Sequence, residues 1–400
     1  MGRSIAAVTT SSELARHYAL FRVTERALLT GHSHQAWPDV SFEAQQRAWR
    51  DAAEFVDAKW ERAAEQAALV QAGFRRLLND SAGTVALGQN THELVTRLLS
   101  ALPLVERRTL IKTDGEFHSI RRQLDRLGEA GFRTITIAAH PVDTLAERMA
   151  RIVDDRVACV LVSSVLYETA EIVLGLDGVA RAAERHGAAL LVDAYHHLNV
   201  VPFDIRALGL ETAFVTGGGY KYCQLGEGNA FLRVPPGCRL RPVLTGWFSE
   251  FAALEEQGPT GAVPYGEGPA RFAGSTYDPT SHYRAAAVFG FHEQHGLAPD
   301  RLREISRRQV GILKNGFEAL DVDARLASVV SMPAERRAGF LAIRTAHAEA
   351  LVKSLRAESV FTDHRGDILR LGPAPYVSDD QLTNAIAVLG EVLQSLVASP

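Results

Sequence analysis

The chain has five lysines, Lys59, Lys112, Lys221, Lys314 and Lys353, and one stands apart by its surroundings. Lys221 follows three glycines, Gly217 to Gly219, and sits between Tyr220 and Tyr222. The others fall in amphipathic helical patterns or, for Lys112, inside a strand pattern. A free lysine titrates near ~10.4, so one that attacks a carbonyl or holds a Schiff base must be desolvated or crowded by cations. The second candidate is Asp193, which ends the apolar run Ala188 to Val192. Another short apolar run, Ala213 to Val215, leads into Thr216 and the glycines. Such runs, bounded by turn residues, read as buried strands. Asp193 and Lys221 then lie at or just past strand C-termini, where open α/β sheets bind ligands. A carboxylate there keeps a pyridine nitrogen protonated, and an amine captures an aldehyde. Pyridoxal phosphate (PLP) offers both groups. The plainer alternatives are a surface lysine in a glycine loop and an acid that caps a turn.

Further residues fit around such a cofactor. Gln89-Asn90-Thr91 sits where a strand pattern turns into a helix, and backbone N–H groups there make an anion seat. An ordinary helix cap explains the same residues equally well. Phe117, past the next strand, can stack on a ring or simply fill the core. His196 and His197 follow Asp193 closely enough to cover the ring or orient the acid. Arg370 lies inside the apolar run Ile368 to Leu371, so its guanidinium must find an anion. A substrate carboxylate would serve, and so would an internal ion pair. The histidines at 32, 34, 92, 118, 196 and 197 show no HExxH and no Cys/His spacing of a metal site, so no metal is expected.

The elements that must position these groups alternate strand and helix from Thr84 onward. Strand patterns cover Thr84 to Leu87, Arg108 to Thr113, Arg133 to Ala138 and Val157 to Val165. Helical patterns cover Glu93 to Leu102, the residues after His118 to Leu127, Asp143 to Ile152 and Val179 to His186. That alternation argues for a mostly parallel sheet covered on both faces. Upstream, Ser11 or Ser12 caps a short helix to Leu20, and Ser41 to Leu78 forms two helices or one bent one. Their apolar face holds Phe42, Trp49, Val56 and Trp60. Downstream come a Gly/Pro-rich loop, Gln257 to Gly274, helices Ser281 to His295 and Leu302 to Leu320, and a mixed region ending in helix Asp379 to Val397. The expected division is an N-terminal segment 1–40, a large α/β domain 41–280 and a small C-terminal domain 281–400.

Composition narrows the function class. Net charge is −4 and basic residues are dispersed, so neither nucleic acid nor an anionic membrane is an expected partner. No apolar run reaches the ~20 residues of a membrane helix, and the N-terminus lacks a secretory core. The three cysteines, Cys159, Cys223 and Cys238, form no CxxC pair. A cytoplasmic protein is expected.

Together the motifs resemble the kynureninases, in the class V branch of the fold-type I PLP enzymes. The likeness runs from Gly31-His32-Ser33 to about Leu389. The resemblance implies a seven-stranded, mostly parallel sheet and a small α+β C-terminal domain. It places the phosphate turn on Asn90 and Thr91, the stacking ring on Phe117 and the pyridine-nitrogen acid on Asp193, with His196 after it. Tyr220-Lys221-Tyr222 matches the family hallmark, with Lys221 as the Schiff-base lysine, and Gly246-Trp247-Phe248 matches another. Ser275-Thr276 corresponds to a pair that reaches the phosphate of the neighbouring subunit, and Arg370 to the arginine for the substrate carboxylate. Ser33 and His34 fall on the substrate side. The chain departs from the family at His34, Ile120, Leu166 and Glu227.

The resemblance implies a homodimer with shared active sites, acting on an L-α-amino acid. Lys221 and Tyr220 are its catalytic candidates, and the reaction is hydrolytic Cβ–Cγ cleavage of a kynurenine-like substrate with release of alanine. The departures keep open other class V chemistry: transamination, β-elimination, or cleavage of a C–S or other C–C bond. A non-catalytic binding protein on the same fold is the third reading; Lys221, Asp193 and Arg370 together argue against it.

Overall fold

A computed structural model describes residues 10–253 and 262–398. The chain opens with a short helix α1 (Ser11–Ala15), capped by Thr10 in a capping box with Glu13, and a 3-10 turn Arg16–Phe21. The cap therefore falls one residue earlier than expected, and the regular helix is shorter. Strand β1 (Ala27–Leu28) precedes two long helices, α2 (Val40–Phe55) and α3 (Lys59–Leu77).

Strands and helices then alternate: β2 (Thr84–Gly88), α4 (Thr91–Ala101), β3 (Thr109–Thr113), α5 (His118–Glu129), β4 (Arg133–Ile137), α6 (Leu145–Ala150), β5 (Val157–Ser163), α7 (Leu176–Arg185), β6 (Ala189–Asp193) and β7 (Phe214–Gly218). One more strand, β8 (Ala230–Val234), completes a seven-stranded sheet in the order β2-β8-β7-β6-β5-β3-β4. Only β8 runs against its neighbours β2 and β7. Because β8 pairs with it to the end, β7 extends through Gly217 and Gly218, which sequence reading placed in the following turn.

Successive residues of the central strands feed opposite apolar layers. Val160 and Val162 of β5 join one cluster, and Cys159 and Leu161 join the other. This period of two, buried on both sides, is what a parallel sheet covered by helices requires. Arg233 of β8 is fully buried, and its Nε donates to Asp80 at 2.7 Å. A charge inside an apolar strand needs such a partner.

After the sheet come α8 (Thr280–Gln294) and α9 (Pro299–Ala319). Then follow β9 (Ser328–Val329), β10 (Leu341–Arg344), α10 (Ala348–Ala357), β11 (Val360–Phe361), β12 (Asp363–Arg365), β13 (Ile368–Leu371) and α11 (Asp379–Ala398). Strands β12-β13-β10-β9 form an antiparallel sheet, and β1 pairs in parallel with β11. A third apolar cluster joins Leu14 to Ala36 with residues of α9, α10 and α11. The loop Gln257 to Gly274 lies partly outside the described residues; its later part holds a 3-10 turn, Gly268–Phe272.

Helix α2 inverts the expected pattern. Its small residues Ala44 and Ala48 are buried beside Tyr283 of α8, while Phe42, Trp49 and Val56 are 50%, 79% and 65% exposed. Small residues let two helices approach closely, so the bulky stripe turns outward.

Candidate active site

The parallel strands deliver their C-terminal ends to one edge of the sheet, and a cavity of about 420 Å³ opens there. That is within the ~300–1,000 Å³ of small-molecule sites. Asp193, the last residue of β6, and Ser163, the last of β5, face each other in register and both line it. Lys221, Tyr220 and Tyr195 line it from the segments after β7 and β6, Phe117 from the start of α5, and Asn90, Thr91 and His92 from the start of α4.

Lys221 is only 6% exposed. Its Nζ donates to the His32 carbonyl at 3.0 Å and lies 5.1, 5.3 and 5.5 Å from the ring centres of Tyr220, Tyr195 and Phe117. Burial strips the ammonium of water and Arg370 repels it, which lowers its pKa to about 7; Asp193 and Asp363 partly offset this. Asp193 accepts the Tyr195 N–H at 2.8 Å, and burial raises its carboxyl to about 6.

Asn90 caps α4 by accepting the Glu93 N–H at 3.0 Å, so the plainer reading of that residue is present in the structure. The cap still leaves the first turn of an eleven-residue helix at the cavity wall, with Asn90, Thr91 and His92 among the lining residues. His196 lines the cavity with both ring nitrogens buried and unpaired, and Asn229 does so with an unpaired Oδ1. Buried polar atoms without partners await a polar ligand. An amine near neutrality, a buried acid, a flat aromatic ring and a helix N-terminus are what an aldehyde, a ring nitrogen, a ring face and a phosphate need. The residues fit PLP.

Other sequence candidates lie elsewhere. Ser275 and Thr276 line an adjoining recess of about 720 Å³ that shares Gln89, Asn90 and His92 with the first cavity. Trp247 stacks on Phe248 with ring centres 4.3 Å apart and lines neither space. His34 stacks on Tyr220 at 5.1 Å, with its Nδ1 3.3 Å from Glu227 at the cavity mouth. The Ser33 hydroxyl turns back to the Thr30 carbonyl. Arg370 is 1% exposed and paired with Asp363; the internal ion pair, one of its two sequence readings, is formed. The departures Ile120 and Leu166 are buried in separate apolar clusters and do not line the cavity.

Three groups escaped sequence reading. Glu116 is fully buried, accepts from the Thr113 and Ser163 hydroxyls at 2.6 Å each, and has its carboxyl raised by burial to about 7. Its place one residue before Phe117 was the available signal. Tyr195, two residues after Asp193, was another neighbour of a chosen residue. Asp363 was legible only through the pairing of β12 with β13. Among the described residues no group of three or more His, Cys, Asp or Glu could hold a metal ion, and no helix is long and apolar enough to cross a membrane.

Comparison with known proteins adds three findings. Residues 302–389 match the family model of the kynureninase C-terminal domain. An uncharacterized aminotransferase of Bacillus subtilis, YcbU, is 23% identical over 334 residues, 82% of this chain and 84% of that protein. Solved structures with the same fold include an apo cysteine desulfurase of Thermococcus onnurineus, with TM-score 0.81 and 16% identity over 99% of this chain and 100% of that one. Another is a variant of C-DES with glycine covalently linked to its PLP cofactor, with TM-score 0.80 and 17% identity over 94% of this chain and 98% of that one. A second C-DES structure, described as a cystine C–S lyase with its product cysteine persulfide, gives TM-score 0.78 and 18% identity over 92% and 98%. The fold, the match of residues 302–389 to the kynureninase C-terminal domain and the composition of the cavity all support a kynureninase-like, class V pyridoxal phosphate enzyme.

Proposed function

We propose that the enzyme acts on an L-α-amino acid and hydrolyses the Cβ–Cγ bond of a kynurenine-like substrate, releasing alanine. The observation that supports this most is Lys221, an amine of pKa about 7 buried among Asp193, Tyr195, Tyr220 and Phe117. When bound, PLP supplies a carbonyl carbon for amines and a ring that withdraws electrons from the substrate's Cα. At neutral pH roughly half of the Lys221 amine is free base, so Nζ can attack a carbonyl and later hold and return the Cα proton. Asp193 keeps the ring nitrogen protonated, with His196 beside it. Asn90, Thr91 and the α4 N-terminus hold the phosphate, and Phe117 offers a face to the ring. The Tyr220 hydroxyl, paired with Tyr195, donates a proton to Cβ as its bond to the hydrated Cγ carbonyl breaks and Cγ leaves as a carboxyl group. Arg370, with Ser33 and His34, serves the substrate side.

The reading extends to a homodimer in which Trp247, Ser275 and Thr276 serve the neighbouring site. The outward residues Phe42 and Trp49 of α2, with Val56 just past its end, support it, because bulky apolar groups on one surface favour a partner over water. The division into 1–40, 41–280 and 281–400 belongs to this reading, and three unpaired cysteines suit a cytoplasmic setting.

A second reading, cleavage of a C–S bond, is supported by the likeness to C-DES. Incubation of the purified, PLP-loaded enzyme with kynurenine, 3-hydroxykynurenine and cystine separates the two. Anthranilate or its hydroxy form with stoichiometric alanine is the expected result. Persulfide from cystine without any anthranilate would replace the first reading by the second.

A further inference from the structure

Arg370 is a guanidinium withdrawn almost wholly from water, and its donors can be counted. Arginine has five N–H groups. Nε donates to Asp363 Oδ1 at 2.9 Å, Nη2 to Asp363 Oδ2 at 2.5 Å and Nη1 to the Tyr167 carbonyl at 2.6 Å. One N–H on each terminal nitrogen is left over. Buried donors of a cation are costly to leave without an acceptor. Tyr167, whose carbonyl Arg370 touches, lines the cavity, so the guanidinium lies one residue behind its wall.

Asp363 is the hub that fixes this arrangement. It stands opposite Arg370 in the β12–β13 register. Its Oδ1 is also 2.6 Å from Nε2 of His32, a fully buried ring whose backbone carbonyl receives Lys221 Nζ at 3.0 Å. Burial raises the Asp363 carboxyl, but His32 and Arg370 outweigh that and keep it ionised. Burial keeps His32 neutral, with its pKa lowered to about 4. Asp363 alone would therefore cancel the charge of Arg370. Arg365, 3.7 Å from Asp363 on the more open side, leaves the cluster with one net positive charge. An anion is the ligand such a cluster suits.

We propose that Asp363 is the positioning residue for the substrate carboxylate: it grips Arg370 from one side, presents that arginine's remaining donors to the carboxylate, and ties the arginine through His32 to the carbonyl that holds Lys221. The proposal rests on the reading above that Arg370 serves an amino-acid substrate. It predicts that Asp363 matters far more for ligands that carry a carboxylate than for those that do not.

The test compares L-alanine with ethylamine, the same amine lacking its carboxylate, by titrating the absorbance of the PLP-loaded enzyme. In Asp363→Asn, L-alanine affinity falls about 30-fold or more, the scale of breaking a buried hydrogen-bonded charge pair. Ethylamine affinity stays close to wild type, while the melting temperature of the loaded enzyme falls as the buried guanidinium loses its counter-charge. Equal weakening of both ligands would make Asp363 merely structural. Unchanged or tighter L-alanine binding would make it a competing counter-ion. Either result overturns the proposal. Should Asp363→Asn fail to fold, Asp363→Glu keeps the charge on a longer arm and must still lose preference for L-alanine over ethylamine; a wild-type ratio there overturns it too. A wild-type enzyme that binds PLP yet responds to no amino acid would sink the substrate reading itself. A wild type that prefers L-alanine, with the preference intact in both variants, would sink only the role of Asp363.

Discussion

The reactivity of Lys221 is a quantitative consequence of where the fold puts it. An ordinary lysine of pKa ~10.4 is free base in only about 0.04% of molecules at pH 7, whereas one at about 7 is free in roughly half, a gain near 10³ in reactive amine. Burial is the first cause and the Arg370 charge the second. Arg370→Met should therefore raise the Lys221 pKa, because it removes the repulsion and leaves Asp363 uncompensated; about one unit is expected, or tenfold less free amine at pH 7. Competitive labelling of the apoenzyme with acetic anhydride from pH 5.5 to 10, read by peptide mass spectrometry, measures both values. Exposed Lys353 serves as the internal reference. Lys221 labelling should turn over near pH 7 in the wild type and higher in the variant. If Lys221 followed the same curve as Lys353, the amine would have water or a counter-charge that this structure does not give it, and the argument for its chemistry would fail.

Glu116→Gln should change how stability depends on pH. The native carboxyl keeps its proton to about 7, while an unfolded glutamate loses it near ~4.3, so wild-type stability falls as pH rises through that window. The advantage of the glutamine variant over wild type should grow there by up to about 3 kcal/mol, and parallel urea-unfolding curves across pH 4.5 to 7.5 would contradict this. Asp80→Ala strands the buried Arg233 guanidinium and should cost about 3–5 kcal/mol of stability, read by denaturant unfolding at pH 7. Trp49→Glu puts a charge in the outward stripe of α2 and should yield a folded monomer in sedimentation; a dimer unchanged by it would place the subunit contact elsewhere.

Much of the sheet was legible because buried parallel strands advertise themselves as short apolar runs between turn residues. The strand β8 was not, since Arg233 in Ala-Phe-Leu-Arg-Val looks polar until Asp80, far upstream in sequence, is found beside it. Helix α2 misled for a related reason. A helical wheel shows which residues share a face, not whether the bulky or the small ones meet the core. The close approach of α8 decided for Ala44 and Ala48.

The same distinction governs the cavity. Asp193, Lys221, Phe117 and Thr91 could be chosen in advance because each follows a strand, and parallel strands all deliver their ends to one edge. That rule places residues but does not orient them. The family resemblance put Ser33 on the substrate side, yet the group that touches the amine is the backbone carbonyl of His32, which no side-chain pattern marks. The apolar run around Arg370 flagged it as a cation in need of an anion and left the anion open. The answer lay seven residues away across a tight antiparallel turn, in Asp363, where a charged residue beside Gly366-Asp367 reads as loop. Once β12 and β13 pair, Asp363 must face Arg370, and the acid that looked like surface becomes what holds the arginine in place.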